Sequence, residues 1–100
     1  MIDIKVHGSL NKEPLLKASG EDSSLMLSIE SISFKADRSE QTSYVAVVIE
    51  GEEDTLSKLS EQLGEGDKVS IEANTYNTVC DQAGYVKFYI EVDSCNIHLH

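Results

Sequence analysis

The sequence predicts an all-β fold, a barrel of five strands with one short helix. Apolar residues recur at every second position through most of the chain, which is typical of half-buried strands. One segment, at about residues 54–63, instead places leucines at helical spacing, between the third and fourth predicted strands. Because 100 residues are enough for one hydrophobic core and too few for two, we expect a single domain over residues 1–100.

The first two strands are predicted from alternation in "IDIKVHG" and "SLMLSIESISF". Gly8 marks a bend in the first, and the segment "NKEPLLK", with the only proline, separates the two. In the second strand the apolar phase shifts before Ile32. A β-bulge or strong coiling near Glu30 and Ser31 would explain that shift.

The third strand, "TSYVAVVIEG", is apolar on both faces, which predicts a central position in the sheet. In the helix that follows, Asp54 is the predicted N-cap, with Glu52 and Glu53 just ahead of it. Gly64 is predicted to end the helix with a positive φ angle. A helix this short needs tertiary contacts, so its leucines should dock against the sheet. These leucines are Leu56, Leu59 and Leu63.

The last two strands, "KVSIEANTY" and "YVKFYIEV", predict a long antiparallel hairpin with a turn at "CDQAG". Whether the C-terminal "HLH" continues the last strand is left open. Hairpin register would hold Cys80 and Cys95 roughly 30 Å apart, which excludes a disulfide between them. Two reduced thiols are expected, and no metal site is predicted.

Five strands with a helix between the third and fourth is the order of the oligonucleotide/oligosaccharide-binding (OB) fold. Three segments further resemble the bacterial single-stranded-DNA-binding protein family. "IKVHGSLNKEPLLKASG" is similar to its opening strand, residues 42–73 to its third strand, helix and fourth strand, and "DQAGYVKFYIEVDSCNI" to its last turn and strand. In ending soon after its last strand, the sequence also resembles the compact primosomal replication proteins.

The resemblance implies a surface that binds single-stranded DNA through stacked aromatic rings and basic side chains. Tyr44 matches the position of a stacking aromatic, and Tyr85, Lys87 and Tyr89 alternate on one face of the last strand. A ladder of tyrosines that only packs across strands is the alternative interpretation. The candidate nucleic-acid-binding residues are Lys12, Lys17, Lys35, Arg38, Tyr44, Tyr76, Tyr85, Lys87 and Tyr89. Phe34 lies near another aromatic position of the family. It is two residues after Ile32 in the alternation, however, and so shares the face predicted for the core.

Other positions depart from the family pattern. Ala46 replaces a basic residue, Glu50 replaces an aromatic residue, and the ring near the tip of the last hairpin is missing, with Tyr76 as a substitute. The net charge is −10, and residues 50–67 hold seven acidic residues and one basic residue. An acidic protein-interaction module that has lost DNA binding, an adaptor or a DNA mimic, is therefore the rival hypothesis. Its partner would contact Glu50, Glu52, Glu53 and Asp54.

The sequence contains no recognisable catalytic motif, so we expect a protein that is not an enzyme and needs no cofactor. Its expected partners are single-stranded DNA and replication proteins. No apolar segment reaches the length of a signal sequence or membrane span, so we expect a cytoplasmic protein with no membrane partner. Barrels of this family commonly assemble, so the resemblance implies a homodimer or homotetramer.

Overall fold

The computed structural model describes the backbone of residues 2–34, 40–80 and 86–100. Side chains are described for the same residues except those at 2, 32–34, 40–43 and 75–80. The strands are β1 (Ile2–Leu10), β2 (Leu15–Lys17), β3 (Ser23–Phe34), β4 (Glu40–Gly51), β5 (Lys68–Cys80) and β6 (Val86–Leu99). The helix α1 spans Glu53–Gln62, and a turn of 3-10 helix covers Gly20–Asp22.

Five long strands close into a barrel, which confirms the predicted OB fold. The order around the barrel is β1-β5-β6-β4-β3, and the ring closes where Ser9 and Leu10 of β1 pair with Glu30 and Ile29 of β3. Neighbouring strands are antiparallel except β4 and β6, which are parallel. The short β2 adds to the same edge of β3, beyond the point where β1 leaves it.

Gly8 makes the closure of the barrel possible. A β-carbon at this position would lie 2.3 Å from the carbonyl oxygen of Glu30 and 2.7 Å from a methyl carbon of Ile29. Such distances are far inside van der Waals contact, so only glycine allows the backbones of β1 and β3 to approach this closely. The bend predicted at Gly8 therefore lies where the two strands meet.

Alternation correctly predicted the inward residues of the strands. Leu25, Leu27 and Ile29 of β3 are fully buried, and the inward residues of β4 and β5 join them in one core. The β-bulge predicted near Glu30 and Ser31 is absent, because β3 pairs with β4 without a register shift from Ser23 to Phe34. The irregularity lies instead between β5 and β6, where the pairing shifts on either side of Thr75.

The helix packs against the barrel as predicted, but its ends differ from the prediction. Leu56 is fully buried, Leu63 is nearly so, and Leu59 packs on the core from a partly buried position. The N-cap is Glu52 rather than Asp54, and it makes no capping hydrogen bond through its side chain. Asp54 lies in the first turn, where the positive end of the helix dipole stabilises its negative charge. Positive φ falls at Gly66 (92°) and not at Gly64.

The two cysteines lie far apart along the β5–β6 hairpin, as predicted. Cys80 pairs with Val86 and Cys95 with Ala73, a separation of about 30 Å along β6. Burial, and then the negative charge of Asp93, raise the pKa of the Cys95 thiol. This thiol donates a hydrogen bond to the carbonyl oxygen of Val92 (3.3 Å), so it is protonated at neutral pH.

None of the helices in the described ranges has the length and apolar character needed to cross a membrane.

Candidate nucleic-acid interface

The outward side chains of β2, β3, β4 and β6 form one surface, which we call the tyrosine face. Strand pairing arranges it in rows that cross the strands. One row is apolar and consists of Leu15, Met26, Val48 and Tyr89. The next row is Ser28, Ala46 and Lys87, and the third places Glu30 beside Tyr44. The side chain of Tyr44 is 45 % exposed and therefore available to a ligand.

Three of the predicted binding residues lie in the first three rows of the tyrosine face. Lys87 and Tyr89 lie on β6, and Tyr44 lies on the adjacent β4. Tyr89 pairs with Val48, four residues along β4 from Tyr44, so the two rings are separated by about 13 Å along the strand direction. Lys87 occupies the row between them, where Ala46 is fully buried. Two rings with a cation between them suit a chain of stacked bases joined by phosphates.

Two further predicted cations, Lys12 and Lys17, lie beside these three rows. Lys12 is exposed in the loop after β1, and its neighbour Asn11 donates a backbone hydrogen bond to the carbonyl oxygen of Ser28 (3.1 Å). Lys17 is exposed on β2 and belongs to a fourth row with Ser24, Glu50 and Glu91. This row is the acidic border of the face.

Other predicted binding residues lie outside the described part of the structure. They are Lys35, Arg38 and Tyr85, together with the side chains of Phe34 and Tyr76. Their proposed roles stay predictions. The backbone of β5 does place Asn77, the residue after Tyr76, opposite Tyr89.

The structure places two residues on this face that the sequence analysis did not assign to the interface. Leu15, 59 % exposed, extends the apolar row at the β2 edge. Glu30 is half-buried and introduces a carboxylate beside Tyr44. Alternation already placed Glu30 on the outer side of β3, but only the pairing register shows that it neighbours Tyr44.

The acidic residues of the rival hypothesis gather beyond the acidic border of the tyrosine face. Glu50 and Glu52 line a groove of about 420 Å³ with carboxylates from the 3-10 turn and from β6, and Glu53 and Asp54 follow on the rim. The added acidic residues are Glu21, Asp22, Glu91 and Asp93. Among the described residues, no three side chains of the ligating types are arranged to hold a metal ion. The groove is thus a diffuse negative surface.

Comparison of the sequence with models of known protein families gave no match, and comparison with curated proteins gave none either. Solved structures do match. A Plasmodium falciparum SSB in complex with ssDNA has a TM-score of 0.76 at 15 % identity and covers 100 % of this chain and 95 % of its own. The second SSB of Mycobacterium smegmatis gives 0.67 at 18 % identity, covering 97 % and 86 %. The mitochondrial SSB of S. cerevisiae gives 0.57 at 18 %, covering 97 % and 90 %.

These similarities extend over almost the whole chain and concern the fold. They confirm that the chain has the barrel of single-stranded-DNA-binding proteins, as its sequence segments predicted.

Proposed function

We propose that this protein binds single-stranded DNA weakly and without sequence specificity on the tyrosine face, as a non-enzymatic factor in DNA replication, repair or mobile-element DNA metabolism. The observation that carries the proposal is the arrangement of Tyr44, Lys87 and Tyr89 on adjacent strands of an SSB-like barrel. Base stacking on the rings provides affinity that tolerates any sequence, and the lysine attracts the phosphate between bases.

Electrostatics determine where on the tyrosine face the strand lies. The row with Glu50 and Glu91 and the groove beyond it repel phosphates, so the strand lies toward the Tyr44 end of the face. A net charge of −10 also lowers the affinity relative to a basic relative. Weak binding at physiological salt follows from these two terms.

Fluorescence anisotropy with labelled oligo-dT tests this proposal. We expect binding at about 20 mM salt that weakens as salt rises, with a slope of log affinity against log salt of about −2 to −3, because only three or four cations meet phosphates. A folded protein that shows no binding at about 20 mM salt would contradict the proposal.

The rival function, an acidic protein-interaction module, is favoured by one observation: three separate segments bring carboxylates to the groove beside α1. Its partner would be a basic protein surface. Neutralising Glu52, Glu53 and Asp54 should then abolish capture of that partner while oligo-dT binding stays unchanged or rises. A partner still captured by this variant would eliminate the acidic groove as its docking site.

Assembly, partners and location complete the proposal. We infer a homodimer or homotetramer, replication proteins as additional partners, and a cytoplasmic location. Analytical ultracentrifugation tests the assembly, with a sedimentation coefficient above that of an 11.0 kDa monomer as the expected result.

A further inference from the structure

We propose that a groove between His7, Lys68 and His100 is a second binding site, which takes a phosphodiester of the same DNA strand that lies on the tyrosine face and binds it more tightly as the pH falls. The inference rests on the proposed function. It assigns a role to two histidines that the sequence analysis left without one.

The groove has a volume of about 440 Å³ and lies where the barrel closes. Its lining includes His7, Ser9, Glu30, Lys68 and His100. Ser9 pairs with Glu30 and Glu30 pairs with Tyr44, so the groove and Tyr44 are separated by about two strand spacings, roughly 10 Å. A strand that stacks on Tyr44 and avoids the acidic border would continue directly into this groove.

Two histidine rings in this groove share one serine hydroxyl. The oxygen Oγ of Ser70 lies 2.5 Å from Nδ1 of His7 and 2.6 Å from Nε2 of His100. The ring centroids are 6.4 Å apart. Ser70 is only 4 % exposed, and it comes from β5 while the histidines come from β1 and from the residue after β6. The rings are thus held together by a buried hydroxyl contributed by a third segment.

This sharing limits what the neutral pair can offer a ligand. A hydroxyl has one proton, so at least one ring must use its only N–H to donate to Ser70. At most one of the two outer nitrogens, Nε2 of His7 and Nδ1 of His100, then carries a proton. Protonation of one ring gives the pair a positive charge and supplies N–H donors on both outer nitrogens. A phosphate group, with its charge and several acceptor oxygens, matches the protonated pair better than the neutral one.

Other charged groups around the rings do not reverse this preference. Lys68 adds a permanent positive charge to the groove, and Glu30 adds a negative one on the side of Tyr44. In the next row, Lys5 and Glu72 pair with each other (Nζ to Oε1, 3.4 Å) and contribute little net charge. The exposed His98 pairs with Ser70 across β5 and β6 but does not belong to the lining of the groove. Protonation of the ring pair therefore decides how strongly the groove attracts a phosphate.

The test compares oligo-dT affinity at about pH 8.5 and pH 6 at constant low ionic strength, because histidine changes charge within this interval. The native protein should bind roughly three- to tenfold more tightly at pH 6, as expected for one added charged phosphate contact. The variant H7Q/H100Q should lose most of the gain between pH 8.5 and pH 6. The control H98Q removes an imidazole of the same kind and should keep the gain.

Several results would overturn the inference. A native affinity that does not change with pH, or a gain that persists in H7Q/H100Q, rejects this site while leaving the tyrosine face intact. Absence of binding at both pH values rejects the site and the proposed function together. A gain abolished by about 0.1 mM inorganic phosphate, with ionic strength matched by chloride, would mean that the groove prefers free phosphate, since a phosphate tethered to a bound strand has an effective concentration in the millimolar range and should not be displaced at that concentration.

A second measurement does not depend on the variants. At pH 6, addition of oligo-dT should move the NMR ring resonances of His7 and His100, because the bound phosphate lies against these rings, and leave those of His98 in place. Ring resonances of His7 and His100 that stay in place when the oligonucleotide binds would contradict the inference.

Discussion

Replacement of Tyr44 by alanine is expected to weaken binding of oligo-dT by roughly 5- to 100-fold, the loss associated with one stacked base. The ring of Tyr44 is 45 % exposed on the tyrosine face, and its strand neighbours Ala46 and Glu30 offer no other surface for stacking. Fold stability should change little, because the ring lies outside the core. Fluorescence anisotropy at low salt measures the affinity, and urea unfolding measures the stability.

The matched control is Tyr44→Phe, which keeps the aromatic ring and removes only the hydroxyl. It should bind within about twofold of the native protein if stacking is the source of affinity. An alanine variant that binds as tightly as the native protein would reject Tyr44 as a stacking residue, although it would leave the class of function open. A phenylalanine variant as weak as the alanine variant would show that the hydroxyl, and not the ring, makes the contact.

Replacement of Gly8 by alanine is expected to destabilise the fold by about 1–3 kcal/mol or more, the range for overpacking a tight contact. The new methyl group would meet the Glu30 carbonyl oxygen at 2.3 Å, and a backbone atom cannot move aside as a flexible side chain can. The pairing of β1 with β3 would have to open, and the barrel with it. The free energy of unfolding in urea measures this effect.

Gly64 provides the control, since its φ is not positive and an added β-carbon would lie 3.8 Å from the nearest atom, on Asp67. Gly64→Ala should therefore leave stability unchanged or raise it by about 0.4–1 kcal/mol, because alanine reduces the entropy of the unfolded chain. If both variants had the same stability, the close approach of β1 and β3 would not be a constraint on the fold.

The strands and their inward faces could be predicted because burial of one face imposes a period of two on the sequence. This held for β3, where Leu25, Leu27 and Ile29 are buried, and for β5 with Val69 and Ile71. The predicted last strand ended at Val92, and beyond it the residues that pack on the core change phase to Cys95 and Ile97. The irregular pairing of β6 with β5 causes that change, and a single strand's sequence does not specify where its partner shifts.

Local signals were less reliable than periodicity at the ends of the helix. Asp54 is a good N-cap residue by type, yet the cap lies two residues earlier, at Glu52, and the helix begins with Glu53. Several acidic residues in succession suit the positive helix end almost equally, so preference alone does not select one. Gly64 and Gly66 were similarly ambiguous, and the turn that leads to β5 requires positive φ only at Gly66.

The two proposed binding surfaces were predictable to different degrees. Alternation placed Tyr44, Lys87 and Tyr89 on an outer face, and the family resemblance matched Tyr44 to a stacking position. The histidine groove was not predictable, because His7 and Ser70 are 63 residues apart and meet only through the register of β1 on β5. Single histidines on strands carry no signal of this kind by themselves. Pairing register is the information that would have revealed the groove.

An NMR titration of isotope-labelled protein with oligo-dT tests most directly whether the tyrosine face binds single-stranded DNA. We expect changes in amide chemical shift in the rows that contain Tyr44, Ala46, Lys87 and Tyr89. The changes should be small at the acidic groove around Glu52. Shifts concentrated at the groove and α1, or no shifts at an oligonucleotide excess and about 20 mM salt, would contradict the account.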